Sequence, residues 1–220
     1  MSALDSNFVI CNREKLENLY KRANAGDAES QFLLGMHFLD AEFEDSYDES
    51  IATGIREQDA VYWLTKAAEQ GNVDAQFVVG NIYRDGFGVE KNNSLAIAWY
   101  KKAAAHGHGA AMWWIADIFD EAAQRARKNP FKRLWAIFRG DENATAAIEW
   151  YNRVITAGNS DKRRNDARCR LGEIYRKGEI VKRDYDLAIK YYRAVDGFGC
   201  DVAREKIAEI EKLQNGKKTR

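Results

Sequence analysis

Apolar positions recur along this chain at helical rather than strand spacing. In AQFVVGNIYRDG, Ala75, Gly80 and Tyr83 fall at i, i+5 and i+8. In the following LAIAWYKKAAAHG, Ala96, Trp99 and Ala103 fall at i, i+3 and i+7. Each run predicts an amphipathic helix with a narrow buried stripe. The glycines between them, Gly86 and Gly88, suit a turn that needs positive φ. FKRLWAIFR, residues 131–139, carries a further stripe of Phe131, Leu134, Trp135 and Phe138, flanked by Lys132, Arg133 and Arg139. The segment 202–213 predicts a closing amphipathic helix. One proline in 220 residues, with abundant Ala, Leu, Glu and Lys, predicts an almost wholly helical chain.

The helix pair repeats. ARCRLGEIYRKGEIVKRDYDLAIKYY begins at Ala167 and aligns without a gap: Ala167, Gly172, Tyr175, Gly178, Val181 and Ala188 match Ala75, Gly80, Tyr83, Gly86, Val89 and Ala96. Two further copies are interrupted. SQFLLGMHF leads the first and DAVYWLTKAAEQG closes it; AMWWIADIF leads the third and AAIEWYNRVITAG closes it. A partial copy, LYKRANAG, precedes them. The repeats cover about 28–74, 75–110, 111–166 and 167–200 of one array spanning 1–220. A single pair cannot bury its own apolar face, so stacking is required. Ala75 to Ala111 is 36 residues, whereas Ser30 to Ala75 is 45 and Ala111 to Ala167 is 56. Insertions are therefore expected at about 40–58 and 121–143.

These residues resemble the Sel1-like repeat family, a tetratricopeptide-like group whose pattern runs A-x-x-x-L-G-x-x-Y-x-x-G-x-G-V and then A-x-x-W-Y-x-K-A-A-x-x-G. Residues Ala75 to Gly107 fit it almost throughout. Departures are Ala116 for glycine, Ile180 for the second turn glycine, and the replaced turns of repeats one and three. The resemblance implies an all-α, right-handed α-α superhelix of about four helix pairs with a concave groove. It also implies adaptors that bind other proteins, many of them bacterial. His106 and His108 sit where the family pattern often has histidine, and read as structural.

Charge narrows the function classes. Thirty-four basic and thirty-four acidic residues cancel, which disfavours a nonspecific nucleic-acid binder. Cys11, Cys169 and Cys200 form no paired spacing, which fits a reducing cytosol and lacks the regular cysteine pairs of the disulfide-rich family members linked to β-lactam binding. No apolar run is long enough for a membrane span, and none resembles a leader. No cofactor motif emerges: GFGV at 86–89 follows a helix rather than a strand, and no HExxH is present. The 40–58 insertion gathers six acids around Phe43 and Tyr47, Glu44 and Asp45 among them, without the order of a calcium loop. It reads as a solvated loop or as a docking loop for a basic surface. The 131–139 stripe reads as folded back on its own repeat, as a partner contact, or as a short membrane-surface helix. The two insertions are opposite in charge and could pair with each other. A basic run, 162–170, opens the fourth repeat.

The expected function is a non-enzymatic, cytoplasmic protein-interaction module for one specific partner, in the manner of a bacterial regulator or an immunity-type inhibitor of a toxin or secreted effector. Its contacts are expected from Phe131, Arg133, Leu134, Trp135 and Phe138, from Phe43, Glu44, Asp45 and Tyr47, and from groove positions Arg84, Trp113, Asp117 and Arg176, with Asp85, Arg170, Glu173 and Lys177 beside them. The alternatives are an enzyme with a carboxylate pair in the groove and a nucleic-acid-binding regulator. Catalytic and metal-ligating residues are not identified.

Overall fold

A computed structural model describes residues 13–40, 53–129, 131, 141–157, 160–195 and 200–218. Every described element is an α-helix. Contacts divide the chain into two compact units, Met1–His108 and Gly109–Arg220. The first unit holds α1 (Arg13–Asn24), α2 (Ala28–Asp40), α3 (Thr53–Glu69), α4 (Val73–Asp85) and α5 (Asn93–Ala105). The second holds α6 (Gly109–Lys128), α7 (Glu142–Thr156), α8 (Asp161–Lys177), α9 (Tyr185–Arg193) and α10 (Cys200–Lys218). Within each unit every helix packs on its neighbours in sequence, the pairs α2/α3, α4/α5, α6/α7 and α8/α9 most extensively. This is the all-α helix-pair solenoid that the repeats predict.

Helix starts follow from short polar side chains that accept orphan backbone N–H groups. Asn72 accepts from Ala75 N at 2.8 Å, Asn92 from Leu95 N at 3.0 Å, Asp141 from Asn143 N at 3.0 Å and Asp184 from Leu187 N at 2.9 Å. Helix stops repeat as well: Gly86 (φ 82°) and Gly178 (φ 65°) take the left-handed conformation and donate to Ile82 O and Ile174 O. A side chain other than glycine is disfavoured there.

The pairs close where a helix glycine meets an aromatic ring. A Cβ at Gly172 would lie 2.7 Å from Cε1 of Tyr192, and one at Gly80 would also collide with the Tyr100 ring. In the first repeat Gly35 faces Leu64 instead. Tyr100, Tyr151 and Leu64 are fully buried, each contributing roughly 1.5–3 kcal/mol by area alone. In the first unit, Ala60, Leu64, Ala75, Val79 and Ile82 form one core cluster, and Ala23, Leu34 and Trp63 form another. In the second, Ala188, Tyr192, Val195, Ala203 and Ile210 join α9 to α10.

Two elements differ in extent from the sequence expectation. The closing helix runs Cys200–Lys218 rather than 202–213. The leading helix of repeat three does not stop near 120 but continues through the first part of the 121–143 insertion to Lys128. Its last turns carry Arg125, Arg127 and Lys128, which suit the negative end of the helix dipole, and Arg125 pairs with Glu121 at 2.7 Å.

Candidate functional site

The tyrosine that meets each glycine also carries a hydroxyl into the pair interface, and that hydroxyl needs a partner. In α4/α5, Tyr100 donates to Asn81 Oδ1 at 2.7 Å. In α8/α9, Tyr192 donates to Glu173 Oε2 at 2.8 Å. Asn81 and Glu173 each follow the contacting glycine by one residue. In the first repeat the tyrosine is Leu64 and the following residue is Met36, so both members of the pair are apolar.

A guanidinium lies three residues further along in these two repeats. Arg84 forks onto Asp85 at 2.8 and 2.6 Å. Arg176 forks onto Glu173 at 2.8 and 2.6 Å, and Lys177 reaches the same carboxylate at 3.4 Å. The Arg176 hydrogen bonds outweigh burial and hold the Glu173 carboxyl down to about 2, with Tyr192 adding to the effect.

Repeat three reverses the sign. Asp120 stands at the helix position of Arg84 and Arg176, and its side chain is 1% exposed. A buried carboxylate is tolerated only with partners. Asp120 has three: Gln124 Nε2 donates to Oδ1 at 2.8 Å, Arg170 Nε donates to Oδ2 at 2.7 Å, and the Tyr151 hydroxyl lies 3.5 Å from Oδ2. The arginine thus comes from the next repeat, 50 residues on. Burial opposes the Arg170 charge, but Asp120 outweighs it and the guanidinium pKa is raised. Burial, reinforced by Asp120, pushes the Tyr151 hydroxyl well above its ordinary value.

Asp120 and its partners Gln124 and Arg170 line a cleft of about 340 Å³, its open mouth included, inside the second unit. Asp120, Gln124 and Arg170 form one wall; Glu173 and Lys177 follow one and two turns along α8. Ile174 and Ile180 form a buried apolar floor. Ile180 stands where the repeat pattern has its second turn glycine, and its buried side chain fills space that glycine would leave open. Glu179 is exposed at the rim.

Of the residues expected at the surface of helix A, Arg170, Glu173 and Lys177 come together here. Arg176 is tied to Glu173 outside the cleft lining and is 22% exposed. Trp113 is half-buried and meets Tyr151 edge-on at 5.3 Å. Asp117 is half-buried close enough to Tyr151 to raise its pKa further. Arg84 lies in the other unit, 19% exposed against Asp85. Phe131 is 80% exposed, its N–H donating to Asn129 Oδ1 at 3.0 Å. Phe43, Glu44, Asp45, Tyr47, Arg133, Leu134, Trp135 and Phe138 lie outside the described residues. Sequence reasoning missed Asp120, Gln124 and Tyr151. The available signal was an acid at a helix position that holds arginine in both intact repeats.

Two of the three carboxylates that line the cleft are engaged by donors. Both oxygens of Asp120 and both of Glu173 already accept hydrogen bonds, and Glu173 is an unusually weak base. A general acid would need the opposite shift. Among the described residues there is no group of His, Cys, Asp and Glu that could hold a metal ion, and no helix long and apolar enough to cross a membrane. His108 packs on the Phe77 ring at 4.4 Å with Nε2 3.8 Å from Asp74, a packing role.

The family profile "Sel1 repeat" matches residues 56–72, 73–108, 135–159 and 165–194. The third match opens at residue 135, inside the stretch read as an insertion. None of the curated proteins matches the sequence. Among solved structures, the chain is similar to a Sel1 repeat protein from Oxalobacter formigenes, at 26% identity and a TM-score of 0.51 over 83% of this chain and 68% of that one. It is also similar to a protective antigen with an SLR fold from uropathogenic Escherichia coli, at 24% identity and a TM-score of 0.43 over 96% of this chain and 45% of that one. Repeated glycine–aromatic contacts, the turn glycines and four matched segments lead to one conclusion: the chain belongs to the Sel1 repeat family.

Proposed function

We propose that this chain is a non-enzymatic module that binds one specific protein partner, with the second unit's cleft as a principal contact. Sel1 repeats are in general protein–protein interaction modules. The observation that carries the reading is Arg170: a buried carboxylate fixes one edge of its guanidinium while a third of the side chain stays exposed in an open cleft. Charge oriented in this way contributes specificity and steering at an interface. Asp120 and Glu173 are held by donors, so the cleft offers no pair of free carboxylates to the enzyme alternative. The acidic 40–58 segment and the 131–139 stripe would add contacts from Phe43, Tyr47, Leu134 and Trp135, making the surface suited to one target. A cytoplasmic bacterial regulator, or an inhibitor of a toxin or secreted effector, is the role these features fit.

Affinity capture from the native host tests this, followed by reconstitution with the purified candidate. A 1:1 or other fixed-ratio complex, weakened in a folded Leu134→Asp/Trp135→Asp variant, is the expected result. A folded chain that forms no defined protein complex but turns over a small molecule would overturn the proposal.

A further inference from the structure

We propose that the cleft in the second unit grips a carboxylate of the partner polypeptide, either an acidic side chain or a chain end, with Arg170 as the fork and Lys177 as the second cation. The inference rests on the protein-binding reading and names the chemistry its cleft selects.

Two features of the cleft support it, and a third works against it and supplies a test. First, Arg170 is preorganised. A guanidinium has five N–H donors in a planar fork, and Arg170 commits Nε to Asp120 Oδ2 at 2.7 Å, with the Tyr151 hydroxyl as its other neighbour. The Tyr151 hydroxyl engages the guanidinium as well, and among the described residues no other acceptor holds its remaining N–H groups, whose fork geometry matches a carboxylate. The orientation is set before binding, so little side-chain entropy is lost on capture.

Second, the two inner acids of the cleft are each held by a cation, which limits their repulsion of a ligand. Asp120 is neutralised by the arginine it holds. Glu173 is enclosed by Arg176, Lys177 and the Tyr192 hydroxyl. Lys177 remains 44% exposed and contributes positive potential beyond its 3.4 Å contact to Glu173. The floor of Ile174 and Ile180 excludes water on one side, which strengthens a charge-assisted contact.

Third, Glu179 works against the assignment. It is the one cleft-lining carboxylate, among the described residues, with no cation within ion-pair distance. At the rim it opposes an incoming carboxylate, so its neutralisation should tighten binding, and a preference for a cationic probe is the competing outcome.

The test is an NMR titration of the full chain, following the Arg170 side-chain Nε–H resonance where arginine is present and the Lys177 backbone amide in every protein. Four probes are used: a blocked Ala-Glu-Ala tripeptide, acetylated tri-alanine with a free C-terminus, and blocked Ala-Gln-Ala and Ala-Lys-Ala as controls. One of the two carboxylate probes should shift the resonance, and which one does so separates side chain from chain end. Arg170→Lys keeps a counter-charge for Asp120 but loses the fork, and should weaken that probe about tenfold. Glu179→Gln, at the rim, should tighten it by a few-fold, and added salt should weaken it. Preference for the lysine probe, an Arg170 resonance that no probe moves, or affinity unchanged in both variants would overturn the proposal. A captured partner that binds wild type and Arg170→Lys alike would also overturn it while leaving the protein-binding reading intact.

Discussion

Removing Arg170 should destabilise the second unit more than removing the acid it pairs with, although Asp120 is the more buried of the two. The Asp120 side chain is 1% exposed and Arg170 is 34% exposed. Arg170→Gln leaves a buried carboxylate that cannot regain water, with only Gln124 and the distant Tyr151 hydroxyl to stabilise it. Breaking a buried pair in this way costs about 3–5 kcal/mol, and the retained Gln124 bond places this case near ~3 kcal/mol. Asp120→Asn keeps the shape and an acceptor for Gln124, and it frees an arginine that already reaches solvent; its cost should be about 1–2 kcal/mol. The double variant buries no charge and should resemble Asp120→Asn alone, so the two single effects should overlap by ~2–3 kcal/mol. Urea unfolding followed by far-ultraviolet circular dichroism measures all four proteins. Additive single effects, or Arg170→Gln costing no more than Asp120→Asn, would refute the argument that Asp120 depends on Arg170 for its burial.

Two other predictions are narrower. Gly172→Ala places a methyl 2.7 Å from the Tyr192 ring; overpacking of about 1–3 kcal/mol should exceed the ~1 kcal/mol gained in helix propensity, lowering the thermal midpoint. Glu173 has a folded pKa of about 2, below its unfolded value, so its stabilisation is present above the unfolded pKa and is lost as pH falls toward 2. Solvent reaches the Glu173–Arg176 pair, which limits the effect to ~1 kcal/mol, and Glu173→Gln should flatten the acid limb of stability between about pH 5 and pH 2.

The repeat architecture was legible because it rests on local, periodic features. Gly80 and Gly172 were readable as sites of close approach from their place in the helix pattern, and Tyr100 and Tyr192 do fill those sites. Gly86 and Gly178 were readable as turn residues, and both have positive φ. The cleft was legible only along α8, where Arg170, Glu173 and Lys177 share a face. Its other wall depends on Asp120 meeting an arginine 50 residues away, and no periodicity couples those two positions. Trp113 shows the same limit: helical spacing places it on a face, but the edge-on contact with Tyr151 depends on how α7 settles against α6.

The separation of Asp120 from its arginine also has a consequence for synthesis on the ribosome. The leading helix of repeat three emerges with a carboxylate destined for burial, and its counter-ion follows 50 residues later. At roughly 5–20 residues per second, that is a delay of about 3–10 s. Throughout it, α6 and α7 can pair only with Asp120 short of its cation, held by Gln124 and, at longer range, Tyr151. The third repeat, which has Ala116 where the intact repeats have glycine, thus receives its counter-charge from the fourth.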